Sequence, residues 1–155
     1  MIVLGLDVSA SSTGWSVIKN GRFYKREGVD FGWIKTSSSS TLSERLHSFR
    51  EQLIPILEMV KPDRVGIEDV FLARNPKTMK LLARFGGVAI EAVRATSGLE
   101  SAIVTVKEIR SIFGTQGKQE TFDAVIEKYK LDGWSYNKYN DVTDSLAVSF
   151  YVYKN

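Results

Sequence analysis

The chain opens on an apolar run, MIVLGL, closed by Asp7, which is the pattern of a buried strand. A turn of small residues follows from Ser9 to Gly14. Trp15 to Ile18 and Phe31 to Ile34 then read as two further strands, and Asn20-Gly21 between them is a strong hairpin signal. Ser37 to Ser40 is a short surface loop. From Thr41 the period changes: Leu42, Leu46, Phe49, Leu53, Leu57 and Val60 recur at helical intervals, and Thr41 and Glu44 have capping-box spacing. Pro55 is expected to kink this helix and Pro62 to end it. Val65 to Ile67 is a short strand reaching Glu68. Asn75 and Pro76 stand at the N-cap and first position of a second helix, which runs through Leu81, Leu82, Phe85 and Ile90. Its Gly86-Gly87 pair is costly in a helix, so close packing against another backbone is expected there. Ala102 to Val106 reads as a strand, and helices around Gln119–Lys130 and Asp141–Tyr153 complete the chain.

Three strands, then helix–strand–helix–strand, then helices is the order of an α/β fold with a mixed sheet and helices on its faces. With 155 residues and no internal repeat, one domain spanning 1–155 is expected. Apolar content of 43% and charged content of 25% are those of a folded globular chain rather than a disordered one. No apolar run approaches the roughly 20 residues that span a bilayer. The N-terminus lacks a basic region ahead of its apolar stretch, so it does not read as a signal peptide. Zero cysteines exclude disulfides and thiolate metal sites, which suits a reducing, cytoplasmic setting.

The net charge of +3 conceals an uneven distribution. Between Phe71 and Lys118, eight basic residues (Arg74, Lys77, Lys80, Arg84, Arg94, Lys107, Arg110 and Lys118) face three acidic ones, for +5, while the remainder carries −2. A localised basic surface of this kind fits a polyanion-facing side, and it equally fits two solvated helix faces.

Four carboxylates stand out by position. Asp7 and Glu68 each end an apolar strand. If those strands are parallel neighbours, both acids emerge at the carboxyl edge of the sheet, where open α/β sheets bind ligands. Asp69 adjoins Glu68, but successive strand side chains face opposite ways, and periodicity does not choose between them. Asp141 and Asp144 share one face of the last helix, where Asn140 or Asp141 could cap it, and for this pair alone helix-terminus electrostatics is the simpler account. Gathered together, three or four carboxylates repel one another unless cations lie between them. Hard oxygen donors suit Mg²⁺ or Mn²⁺, and two such ions could clamp the attacking and leaving oxygens of a phosphodiester displacement.

Three motifs, GLDVSASSTGWSVI, VGIEDVFLARNPKTMKLLARFGGVAI and DVTDSLAVS, appear in this order. Together they resemble the RuvC family of Holliday-junction resolvases, within the ribonuclease H-like superfamily. The resemblance implies a mixed five-stranded sheet, three antiparallel strands then two parallel, with helices on both faces. It implies that Asp7 and Glu68 are the first-strand and central catalytic acids and that Asp141 and Asp144 are the C-terminal pair, all four as metal ligands. It thereby selects Glu68 over Asp69. Lys107 and Lys118 match family lysines near the scissile phosphate, suited to stabilising developing negative charge. Phe71 matches an aromatic that stacks on a junction base, an interaction that contributes about 1–3 kcal/mol per base; from the residues alone it would be an ordinary core Phe. Arg74, Lys77, Lys80, Arg84 and Arg110 are then phosphate contacts that add salt dependence rather than sequence preference.

The implied activity is Mg²⁺-dependent hydrolysis of branched DNA, with Mn²⁺ as substitute, leaving 5′-phosphate and 3′-hydroxyl ends. The implied assembly is a homodimer without nucleotide cofactor or membrane association. Val8-Ser9 after the first Asp, where many bacterial relatives carry Pro-Gly, resembles the phage-encoded branch, often less selective in sequence and branch type. WSYNKYND, from Trp134 to Asp141, reads as an aromatic segment ahead of the final helix that packs over the domain edge, or stacks on displaced DNA. His47 receives no role. The competing readings are a silent junction-binding module, a nuclease of the same superfamily acting on RNA or hybrids, and an actin-like ATPase fragment, for which the chain is too short.

Overall fold

Side-chain alternation along the first strand divides the molecule into two cores. The computed structural model describes residues 1–70 and 75–155. Strands β1 (Ile2–Asp7), β2 (Ser12–Lys19), β3 (Phe31–Lys35), β4 (Arg64–Glu68) and β5 (Ser101–Val104) form one sheet in the order β3-β2-β1-β4-β5. β1 pairs antiparallel with β2 and parallel with β4; β2 pairs antiparallel with β3 and β4 parallel with β5. The expected three antiparallel strands followed by two parallel ones are therefore present. On one face, Leu4, Leu6, Trp15, Val17, Val65 and Ile67 pack with Phe49, Leu53 and Leu57 of α1 (Leu42–Val60) and Phe85, Ala89, Ala92 and Val93 of α2 (Pro76–Ser97). On the other, Val3 and Ile18 pack with Val125 of α4 (Lys118–Tyr129), Ile109 of α3 (Val106–Phe113), and Val142, Leu146, Val148 and Val152 of α5 (Tyr136–Lys154).

The second face is the more unusual. Gly5, Gly14 and Gly66 lie on three neighbouring strands beneath α5. A Cβ added at Gly5 would stand 2.1 Å from the Ser145 carbonyl oxygen, and one at Gly14 would stand 2.1 Å from that of Asp141. At Gly66 it would meet Val152 and Val148 methyls at 2.6 and 2.7 Å. The glycines form a trough into which α5 settles with its backbone almost on the sheet. Small polar side chains suit that contact: Thr143, Ser145 and Ser149 are buried, and the Ser145 hydroxyl donates to Ser16 Oγ at 2.8 Å.

Several local expectations need correction. α3 was not foreseen, because the strand expected over Ala102–Val106 stops at Val104. Thr105 and Glu108 then close a reciprocal capping box that starts the helix. α5 begins at Tyr136 with Ser135 as N-cap, so Asp141 and Asp144 lie within the helix and neither Asn140 nor Asp141 caps it. WSYNKYND from Tyr136 onward therefore builds the start of α5. Trp134 stacks on Tyr139 at 4.1 Å, and both pack on Phe31, the packing arrangement rather than a free shelf. Asn20 and Gly21 do form a tight turn with both φ positive, but it closes only the Lys19–Arg22 bridge; an excursion through Asp30 precedes β3. α1 passes through exposed Pro55 as one element. The Gly86-Gly87 pair meets no close backbone: a Cβ at either would have nothing within 4 Å among the described residues.

Candidate active site

Register decides which acids meet. In β1 and β4, Gly5 pairs with Gly66 and Leu6 with Ile67, so Asp7 and Glu68 stand side by side on the α5 face. Asp69 falls on the opposite parity: it is exposed, and its own carboxylate accepts from the Val70 amide. α5, seated in the glycine trough, lowers Asp144 onto the same spot. One carboxylate oxygen from each of Asp7, Glu68 and Asp144 lies within 4.8 Å of the others. Asp141, one turn earlier on α5, is outside this trio, but its charge reaches Asp7 and Asp144.

Burial and mutual repulsion work together on these acids. Asp7 is pushed well above the usual carboxylate range, first by desolvation and then by Asp144, Glu68 and Asp141, with Lys118 opposing. Glu68 rises to about 7 through desolvation and Asp144, with Lys118 and Arg110 opposing. Asp144 rises to about 6 through desolvation, moderated by Lys118. The Lys118 ammonium stands 3.8 Å from Asp144, the one ion pair to this trio among the described residues. Burial opposes the charge of Lys118, but Asp144, Tyr136, Asp7 and Glu68 outweigh it and hold the lysine above its ordinary value. One ammonium does not compensate three converging carboxylates. Their hard oxygen donors fit a divalent cation of the Mg²⁺ class, which would supply the missing charge.

The acids open into a cleft of about 780 Å³. Asn75, Thr78, Met79 and Leu82 of the α2 end form one wall, and Val106, Ile109 and Arg110 of α3 another. Lys118 and Thr121 of α4 complete the lining with the acids and Ala147. The N-terminus of α2 is built as its sequence foretold, with the Asn75 side chain accepting from the Lys77 amide at 2.9 Å and Pro76 in the first turn.

The expected cations separate into two groups. Arg110 and Lys118 line the cleft, and both lower the Glu68 pKa. Lys107 is exposed on α3 and does not line it. Lys77, Lys80 and Arg84 are likewise exposed and outside the cleft wall. They recur at three- and four-residue spacing, along a different stripe of α2 from Asn75, Thr78, Met79 and Leu82. Phe71 and Arg74 lie outside the described residues. Lining residues that went unnoticed in the sequence are Thr78, Met79, Ile109, Thr121 and Ala147; the capping box of Thr105 and Glu108 was the signal that would have located α3 and hence Ile109.

A five-stranded mixed sheet with two acids at the carboxyl ends of β1 and β4, and a third delivered by the last helix, is a ribonuclease H-like arrangement. The comparisons with known proteins agree on the family. Residues 3–151 match the family model described as crossover junction endodeoxyribonuclease RuvC, and the chain belongs to that family. The crossover junction endodeoxyribonuclease RuvC of Erythrobacter litoralis is 32% identical over 151 residues, covering 96% of this chain and 90% of the relative. That of Ehrlichia ruminantium strain Gardel is 31% identical, covering 96% and 94%. Among solved structures, Thermus thermophilus RuvC in complex with a Holliday junction substrate superposes with a TM-score of 0.82 at 18% identity, covering 97% of this chain and 91% of that one. The yeast mitochondrial Holliday junction resolvase Ydc2 gives 0.62 at 10% identity, covering 98% and 77%, so the fold persists where most of the sequence does not.

Proposed function

We propose that this protein is a metal-dependent endonuclease that resolves Holliday junctions. The observation that carries this reading is the convergence of Asp7, Glu68 and Asp144 within 4.8 Å in a cleft that Arg110 and Lys118 also line, in a chain of the RuvC family. In this reading the whole chain is one nuclease domain. Asp7, Glu68 and Asp144 hold Mg²⁺, with Asp141 completing the set as a neighbouring ligand and Mn²⁺ as substitute. Bound there, the cation would lower the pKa of water and neutralise the phosphodiester oxygens.

The chain's own residues do the rest. The acids must be ionised to hold the cation, and Lys118, beside Asp144, helps keep them so. Arg110 and Lys118 face the scissile phosphate and stabilise the charge that develops on its oxygens. Lys107 and the stripe of Lys77, Lys80 and Arg84 lie outside the cleft, so they contact phosphates of the junction arms rather than the reacting one, together with Arg74. Phe71, three residues after Glu68, is the base-stacking candidate. One chain carries one such site, so paired nicks on opposing strands, leaving 5′-phosphate and 3′-hydroxyl ends, require a homodimer. The Val8-Ser9 turn is read as a mark of the less selective, phage-type branch.

The test is a pair of near-isosteric variants. Asp7→Asn and Glu68→Gln are expected to bind a four-way junction like the unaltered protein and not to nick it. Normal nicking by either variant removes the assignment.

A further inference from the structure

Two charged side chains are buried away from the site: Asp30, which pairs with Arg26, and Arg45. Arg45, in the first turns of α1, is 9% exposed, and among the described residues no carboxylate lies within 4.0 Å of it. A buried guanidinium without a counter-ion is costly unless its donors are satisfied in a fixed geometry. Here the acceptors are neutral and gathered on one feature, the turn that follows Asp7. An Nη of Arg45 donates to the Ala10 carbonyl at 2.9 Å and to Ser11 Oγ at 3.4 Å. Its Nε donates to Thr36 Oγ1 at 3.2 Å, and the Thr36 hydroxyl itself donates to the same Ala10 carbonyl. On its remaining side the guanidinium lies 5.7 Å from the centre of the Phe85 ring, within cation–π range.

The turn that follows Asp7, the end of β3 and α2, which walls the cleft, meet at this one side chain. The Asp7 turn is already fastened from within: Ser9 Oγ donates to the Ser12 carbonyl at 2.7 Å and accepts from the Ser12 amide at 3.1 Å, and the Ser9 amide donates to Thr13 Oγ1 at 3.0 Å. Those bonds fix the shape of the turn but not its place relative to the helices. The Thr36 amide, which donates to the Ser11 carbonyl at 3.2 Å, and the Thr36 hydroxyl already join the turn to the end of β3; Arg45 ties it to the helices, to α1 through its own backbone and to α2 through Phe85. Leu82, one turn before Phe85, belongs to the cleft wall. We propose that Arg45 is a positioning residue for the metal site: by fixing the turn after Asp7 and the register of α2 against it, Arg45 sets the Asp7 carboxylate where Glu68 and Asp144 converge. The inference rests on the reading of Asp7 as a cation ligand.

Because Arg45 touches neither the acids nor the cleft lining, its removal acts on cation affinity and turnover, not on junction binding. The experiment measures Mn²⁺ binding to the DNA-free full chain by calorimetry, alongside kcat and KM for a four-way junction and the melting temperature. Arg45→Met is expected to weaken Mn²⁺ binding by roughly 10–100-fold, the usual effect of losing a residue that orients a ligand. It should lower kcat at limiting metal and leave KM for the junction unchanged. Arg45→Lys should recover part of the loss, since it reaches one acceptor of the three. Thr36→Val, which deletes one hydroxyl and keeps the side-chain shape, should shift Mn²⁺ affinity in the same direction by less, and it decides the matter should Arg45→Met fail to fold. Asp7→Asn is the control. If Asp7→Asn loses Mn²⁺ affinity while Arg45→Met, or Thr36→Val in its place, binds it like the unaltered protein, the positioning role is overturned, whatever the melting temperatures. If Asp7→Asn itself binds Mn²⁺ normally, the metal-site reading fails, and this inference with it.

Discussion

The two faces of the sheet are built on opposite principles. The face under α1 and α2 is filled by large side chains, Leu4, Leu6, Trp15, Val17, Val65 and Ile67, and the helices stand off at side-chain distance. The face under α5 has glycine where those strands have bulk, and the helix backbone touches the sheet. The first arrangement buries apolar area and tolerates modest change of shape; the second trades area for proximity. That proximity lets a helical residue, Asp144, reach two strand-end residues. The parity of the strands then decides chemistry: the same alternation that sends Leu6 and Ile67 into one core sends Asp7 and Glu68 to the other side.

Parity gives the largest expected effect. Asp144→Asn should reduce junction nicking by roughly a thousandfold, about 4 kcal/mol of barrier. Asp69→Asn, one residue from Glu68 but on the opposite face, should leave nicking near normal. Rates measured on the same four-way junction compare the two, and a similar loss in both would break the division between faces.

The trough gives the next largest. Gly5→Ala and Gly14→Ala each force a methyl against a backbone carbonyl, and each should cost about 1–3 kcal/mol of stability or more, read from denaturant unfolding. Gly66→Ala crowds valine methyls, with the nearest carbonyl oxygen at an ordinary 3.6 Å, and should cost less. Gly87→Ala, on open α2, should instead stabilise by about 0.5–1 kcal/mol in protein dilute enough to remain monomeric.

The crowding of acids adds a pH dependence of definite sign. Asp7, Glu68 and Asp144 keep their protons in the metal-free fold to higher pH than in the unfolded chain. The unfolded state therefore binds fewer protons between about pH 4 and pH 7, and stability falls as pH rises through that window. The melting temperature without metal should be higher at pH 5 than at pH 8, and added Mg²⁺ should raise it more at pH 8, where the acids can accept a cation. Equal increments at both values would contradict the cluster's role.

The smallest effect concerns the outer cations. Replacing Lys77, Lys80 and Arg84 by Gln should weaken junction binding evenly across sequences and reduce the slope of log affinity against log salt by up to about 0.9 per lost contact, with little change in kcat.

Much of this architecture is legible in the sequence because it is local. The buried run ending at Asp7, the Thr41 cap of α1 and the Asn75-Pro76 start of α2 each declare themselves within a few residues. The choice between Glu68 and Asp69 is different. It depends on register with β1, a long-range pairing that periodicity cannot supply, and it was open until a family resemblance closed it. The glycine trough was also hidden, since Gly5, Gly14 and Gly66 are far apart in the chain and acquire meaning only when α5 lies across them. The opposite holds at Gly86-Gly87, where composition points to a close backbone contact and, among the described residues, a Cβ would have nothing within 4 Å. The cleft wall was hidden for the same reason as the trough, for the capped helix α3 turns Val106, Ile109 and Arg110 toward it and leaves Lys107 exposed.

On the function proposed, the acids beneath α5 are a divalent-metal centre for cutting branched DNA. The most direct measurement is cleavage of a panel of four-way junction, fork, flap, linear duplex and RNA–DNA hybrid by the purified chain, with and without Mg²⁺. Paired symmetric nicks in the four-way junction, dependent on the metal and bearing 5′-phosphates, are the predicted result. Tight junction binding without cleavage at any Mg²⁺ or Mn²⁺ concentration, or preferential cutting of the hybrid, would contradict it.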